Sequence, residues 1–85
     1  MTAEPSQNNS NREFIEYVAQ LLARSPDDVH ATETVEDNVV VYHLSLAPED
    51  VGRVIGREGR IVRAMRSLLR CAAVRQGVRV VLEVG

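Results

Sequence analysis

Eighty-five residues, 45% hydrophobic and 26% charged, with a formal charge of −2, fit one small domain. The chain holds no apolar run of the length that spans a bilayer, and no apolar N-terminal stretch of the signal-peptide kind, so neither a membrane anchor nor export is expected. The single cysteine, Cys71, excludes an intramolecular disulfide and fits the cytoplasm. The charge is divided unevenly. Residues 1–50 carry two arginines against ten acids, whereas residues 51–85 carry eight arginines against two acids, Glu58 and Glu83. A basic half of this kind sets a local field that the near-neutral total conceals.

Residues 1–11 are polar and include Pro5 and the pair Asn8-Asn9. They are expected to form a disordered tail, leaving residues 12–85 as the folded domain. That unit is small for a self-sufficient core, so stabilisation by a partner is plausible. Ser10 and Glu13 have capping-box spacing, and Phe14, Ile15, Val18, Leu21 and Leu22 then repeat at helical intervals, which predicts a helix that Pro26 ends. A strand is expected over 29–35. The turn signal Glu36-Asp37-Asn38 follows, and then a stronger strand over 39–46 with Val40, Tyr42, Leu44 and Leu46 on one face, so the two strands form a hairpin. Pro48, Glu49 and Asp50 suit the first turn of a short helix that stops at Gly56. A long helix is predicted over 60–76 with Gly77 just past its end, followed by a last strand over 78–84.

On the long helix, Ile61, Val62, Met65, Leu68, Leu69, Ala72 and Ala73 fill one arc, and Arg60, Arg63, Arg66 and Arg70 fill much of the opposite one. The basic ridge is continuous with Arg57 in the preceding segment Gly56-Arg57-Glu58-Gly59. Glycines three apart between two helices make a turn whose bare backbone can approach a phosphate. The helix behind it points N–H groups and the positive end of its dipole at the same place. Arg57 and Arg60, with Arg53 and Arg63 nearby, supply charge for phosphate oxygens. Val54 and Ile55 offer an apolar surface where bases can rest. This pattern suits single-stranded RNA, gripped by its backbone on one side.

Val54-Ile55-Gly56-Arg57-Glu58-Gly59-Arg60-Ile61-Val62 resembles the Ile-Gly-x-x-Gly-x-x-Ile signature of the K-homology (KH) domain. The α-β-β-α-α-β order is similar to its bacterial type II form. Residues 13–84 resemble throughout the small bacterial KH proteins called KhpA (also YlqC), most specifically over 47–60. The resemblance implies an α+β fold, a three-stranded sheet backed by helices, with RNA in a groove beside the turn. It also implies self-association, or pairing with a larger KH protein of the KhpB (Jag, EloR) type. Members are described as RNA chaperones affecting cell-wall homeostasis and cell length. Glu58 departs from the family pattern, standing where a neutral or basic residue is more usual, and its charge opposes phosphate.

Three blander readings stand beside these. The glycines can simply end one helix and start another, and a row of arginines is most often a solvated face. The apolar arc of the long helix exceeds what one small sheet can cover. That points to a protein–protein module, with Leu68, Met65 and Ile61 as candidate dimer contacts and RNA affinity supplied by the partner. His30 and His43 read as strand residues, and Cys71 as a passive, partly buried thiol. No acid–base pair, nucleophile with a histidine, cofactor motif or metal-ligand set is present, so no enzyme activity, cofactor or metal is expected.

Overall fold

The computed structural model describes residues 6–85, with side chains from residue 11 onward. Helix α1 spans Ser6–Leu22, strand β1 His30–Glu36, strand β2 Val39–Ser45, helix α2 Val51–Ile55, helix α3 Arg60–Gln76 and strand β3 Arg79–Val84. The sheet order is β1-β2-β3, antiparallel between β1 and β2 and parallel between β2 and β3. The α3 crossover makes the parallel pair possible, since a tight turn cannot join parallel strands.

Helix α1 begins earlier than the capping pattern suggests. Ser10 lies inside it, so residues 6–11 of the expected tail are helical, while residues 1–5 lie outside the described ones. Helix propagation needs only backbone bonds, and polar residues extend a nucleated helix into solvent. Asn11 is also tied to the core, because its side chain hydrogen-bonds the buried Tyr42 phenol. Burial pushes that phenol's pKa up; Asn11 opposes the shift and the Glu33 carboxylate adds to it.

Strands β1 and β3 start one residue later than expected, each for a local reason, whereas β2 starts at Val39 as expected. The Val29 amide closes a 3-10 turn over Pro26–Asp28 by bonding Pro26 O at 3.1 Å. The Val78 amide bonds Ala73 O at 3.2 Å and the Gly77 amide bonds Val74 O at 3.3 Å. Together they form the Schellman closure of α3 around left-handed Gly77 (φ 71°). At the hairpin, Asp37 takes a positive φ of 53° and Glu36 pairs with Val39, the twist-matched geometry of a two-residue connection.

All three helices cover one face of the sheet. Val40, Tyr42, Leu44 and Leu82 bury their side chains there against Ile15 and Ala19 of α1, Val54 of α2, and Val62, Met65 and Leu69 of α3. Phe14 and Leu21, expected on the inner face of α1, are exposed, while Ala19 takes the central place. The opposite sheet face carries Thr32, His43, Val81, Arg79 and Glu83 and is open to solvent. Helix α1 also satisfies the outer edge of β1: the Glu16 carboxylate accepts the Ala31 amide at 2.9 Å, and Arg12 donates to Ala31 O at 3.4 Å. This leaves the basic residues gathered on α3 and β3, at the other edge.

Candidate nucleic-acid interface

The site is built on a turn that only glycine can open. Gly56 has φ 82° and ψ 170°, a region closed to L side chains. A Cβ there would also sit 2.8 Å from Ile61 Cγ1. The Gly56 amide ends α2 by bonding Gly52 O, and the Gly59 amide bonds Gly56 O, both at 3.0 Å. Glu58 (φ 57°) and Gly59 (φ 72°) are both left-handed, and α3 starts at the next residue. The guanidinium of Arg63 reaches back to the Glu58 carbonyl, so the turn is braced from the helix it precedes.

Asp50 fixes where α2 lies. Its carboxylate is fully buried. Oδ1 accepts the Arg24 amide and Oδ2 the Ser25 amide, each at 3.0 Å, and Arg53 Nε stands 3.7 Å from Oδ1. The Arg24 and Ser25 amides hold its pKa below the ordinary carboxylate value, burial works against them, and the Arg53 and Arg24 charges assist. The end of α1 is thereby hooked to the segment that carries the turn. Sequence reading placed Asp50 at a helix end and missed this role, because its partners lie 26 and 25 residues away in the chain. Arg53 thus pairs with Asp50, in the 3-10 turn just before α2.

Beside the turn lies a cleft of about 460 Å³ lined by Ile55, Glu58, Gly59, Val62, Arg63, Arg66 and Val84. Ile55, Val62 and Val84 make its floor apolar, and its exposed rim sets Arg63 and Arg66 beside the acidic Glu58. Of the residues singled out from sequence, Gly56, Arg57, Glu58, Gly59 and Arg60 form the turn and its exit, with Arg57 and Arg60 exposed. Ile55 and Arg63 line the cleft. Val54 does not: it is fully buried in the core, since consecutive residues of a helix point about 100° apart and only Ile55 turns toward the cleft. Val62, Val84 and Arg66 join the cleft instead. Arg66, which reads as a solvated residue from sequence, donates to Leu82 O at 3.2 Å.

Among the proposed dimer contacts, Met65 is 3% exposed and belongs to the core, and Ile61 is half-buried beneath Gly56. Leu68 alone projects outward, 58% exposed. Cys71 is exposed on the same helix, where partial burial was expected. Among the described residues, no group of three His, Cys, Asp or Glu side chains is placed to hold a metal ion, and no helix is long and apolar enough to cross a membrane.

A mixed three-stranded sheet backed by three helices, with a Gly-x-x-Gly turn joining the second helix to the third, defines a KH domain. The family model described as "KhpA/KhpB, KH domain" matches residues 12–84. The chain is 37% identical over 73 residues to an RNA-binding protein KhpA of Clostridium perfringens, covering 86% of this chain and 97% of that one. It is 40% identical over 73 residues to an RNA-binding protein KhpA of Chlamydia trachomatis, covering 86% and 94%. A KhpA of Halalkalibacterium halodurans is 38% identical over 71 residues, covering 84% and 93%. The chain belongs to the KhpA/KhpB KH-domain family, which is not a family of enzymes.

Proposed function

We propose that this chain is a non-catalytic RNA-binding protein that grips the backbone of single-stranded RNA at Gly56-Arg57-Glu58-Gly59. One observation carries the reading. The left-handed turn presents bare backbone, the exposed Arg57 and Arg60, and the N-terminal end of α3 beside a cleft with an apolar floor, rimmed by Arg63 and Arg66 with Glu58 as its one acid. Phosphates meet charge and main chain there, and bases meet Ile55, Val62 and Val84. The names of its relatives, RNA-binding proteins KhpA, support the same ligand.

The family resemblance adds finer proposals: an RNA chaperone of the cytoplasm, in post-transcriptional control linked to cell-wall homeostasis and cell length. It acts as a homodimer or with a larger KhpB-type partner. Leu68 and Val74, 58% and 79% exposed on α3, favour association as well, and as a second reading they make the chain an adaptor whose partner supplies most RNA affinity.

The test is binding of unstructured RNA to the parent and to a double variant, Arg57→Asp with Arg60→Asp, across a range of salt. The expected result is parent affinity that falls with salt and a variant that folds normally but binds at least tenfold more weakly, on the order of two lost phosphate contacts. Equal binding by the variant overturns the clamp. RNA affinity that appears only with a partner present selects the adaptor.

A further inference from the structure

Helix α1 carries a face that neither the core nor the RNA clamp uses. Ile15 and Ala19, with the half-buried Val18 and Leu22, pin the helix to the sheet. On its outer side Phe14, Tyr17 and Leu21 stand three and four residues apart, and all are exposed, Tyr17 by 60% and Leu21 by 67%. At about 100° per residue the three fall within an arc of about 60°, and the stripe runs about 10 Å along the helix. Two of the chain's three aromatic residues lie in it. Single surface hydrophobics are ordinary, whereas an aligned apolar stripe rich in aromatics has the make-up of an interface core.

The surroundings of the stripe are acidic. Glu13 is exposed one turn before Tyr17, and Asp27 and Asp28 are exposed in the 3-10 turn that follows α1. Over residues 12–37, which hold most of α1 and all of β1, seven acids stand against two arginines. Of these arginines, Arg12 is paired with Glu16 at 3.4 Å, and Arg24 is exposed just past the helix. The glycine turn and its cleft belong to α2, α3 and β3, so a ligand on the outer side of α1 leaves them open.

We propose that this face of α1 docks a basic amphipathic helix of another protein, its apolar stripe against Phe14, Tyr17 and Leu21 and its lysines or arginines toward Glu13, Asp27 and Asp28. A helix laid along a helix meets such a stripe with its own apolar residues at i, i+3 or i+4, and i+7. Charge decides between occupants. A second copy of this chain would bring two acid-rich faces together, and RNA would meet the same acids, whereas a cationic helix is drawn by the acids and held by the stripe. The proposal goes beyond the RNA reading and stands without it. Taken with it, one chain holds RNA at one edge and a cationic protein at the other.

The experiment titrates the full chain against a fluorescent Leu/Lys peptide of about 18 residues, five helical turns with one leucine stripe. Two control peptides carry the same residues in scrambled order, or glutamate for every lysine. Anisotropy is read for the parent, for the double variant Tyr17→Ser, Leu21→Ser, and for Val81→Thr, an exposed apolar residue on the open sheet face. The parent is expected to bind the Leu/Lys peptide at least tenfold more tightly than either control, and more weakly as salt rises. The double variant is expected to lose at least tenfold of that affinity, the scale of interface anchors. Its unfolding midpoint and RNA affinity should match the parent's, and Val81→Thr should bind the peptide within about twofold of the parent. Undiminished binding by the double variant overturns the proposal, as does equal binding of either control peptide. A parent that binds no peptide overturns it too, and if self-association by sedimentation is then lost in the double variant, the face belongs to a second copy.

Discussion

Gly56 packs against Ile61 so closely that a side chain at 56 would not fit: a Cβ on Gly56 would lie 2.8 Å from Ile61 Cγ1 and 3.0 Å from its Cδ1. The glycine is thus required by the packing of α3 against the turn, before any ligand arrives. The two glycines of the turn differ in this respect, because a Cβ on Gly59 meets only Arg63 Nε, at 3.8 Å.

Gly56→Ala is expected to destabilise the fold by about 3 kcal/mol, from a disallowed backbone conformation plus overpacking. Gly59→Asn, at φ 72° and ψ 19°, is expected to cost within about 1 kcal/mol, because asparagine tolerates the left-handed region. Urea unfolding of both variants measures the difference. Acidic substitution at Gly56, an obvious way to disable the turn, is therefore a poor probe of binding. Reversal of the exposed Arg57 is a cleaner one.

Glu58 offers a gain-of-function test. Its side chain is exposed at the centre of the turn, and its backbone, held by Arg63, does the structural work. Glu58→Gln removes a negative charge from beside the proposed phosphate path and is expected to raise RNA affinity about two- to fivefold at low salt, the scale of one exposed charge interaction. The gain should vanish as salt rises. Unchanged affinity at low salt would place the phosphates elsewhere.

Asp50 makes stability depend on acid. Its folded-state pKa lies below the ordinary value, so its contribution is fully present above the unfolded pKa of about 3.9 and is lost as pH falls through the folded value. Asp50→Asn leaves one carbonyl oxygen for the two amides of Arg24 and Ser25. It is expected to lower the unfolding midpoint at neutral pH and to flatten the loss of stability below about pH 4. Thermal unfolding of parent and variant over that range reads both effects.

Two neighbouring residues of α3 should separate folding from association. Met65→Ala empties a core position and is expected to cost about 3 kcal/mol. Leu68→Asp, on the surface, is expected to change monomer stability by no more than about 0.5 kcal/mol and to weaken self-association, measured by analytical ultracentrifugation. Association that survives Leu68→Asp unchanged removes α3 as the contact.

Much of this architecture is legible from periodicity and turn chemistry. The bounds of α3 follow from its 3.6-residue pattern and from Gly77, and the buried face of β2 follows from the alternation of Val40, Tyr42 and Leu44. The family signature around Gly56 located the turn. What escaped is what a helical projection cannot hold. Met65 and Leu68 share one arc, and only the position of the sheet decides that the first is buried and the second is not. Val54 looks as available as Ile55 until α2 is laid on the core. Asp50 and Arg66 act on backbone groups far away in the chain, and nothing near either residue announces the partner.

The division of charge across the sheet has a kinetic consequence. With the acids of α1 and β1 at one edge and the arginines of α3 and β3 at the other, the molecule is an electric dipole despite its small net charge. In the field of an RNA strand it is expected to turn before it touches, with the β3 side leading and the β1 side held away. Productive encounters should therefore be a larger share of collisions than random orientation allows. Added salt should slow arrival as well as hasten departure.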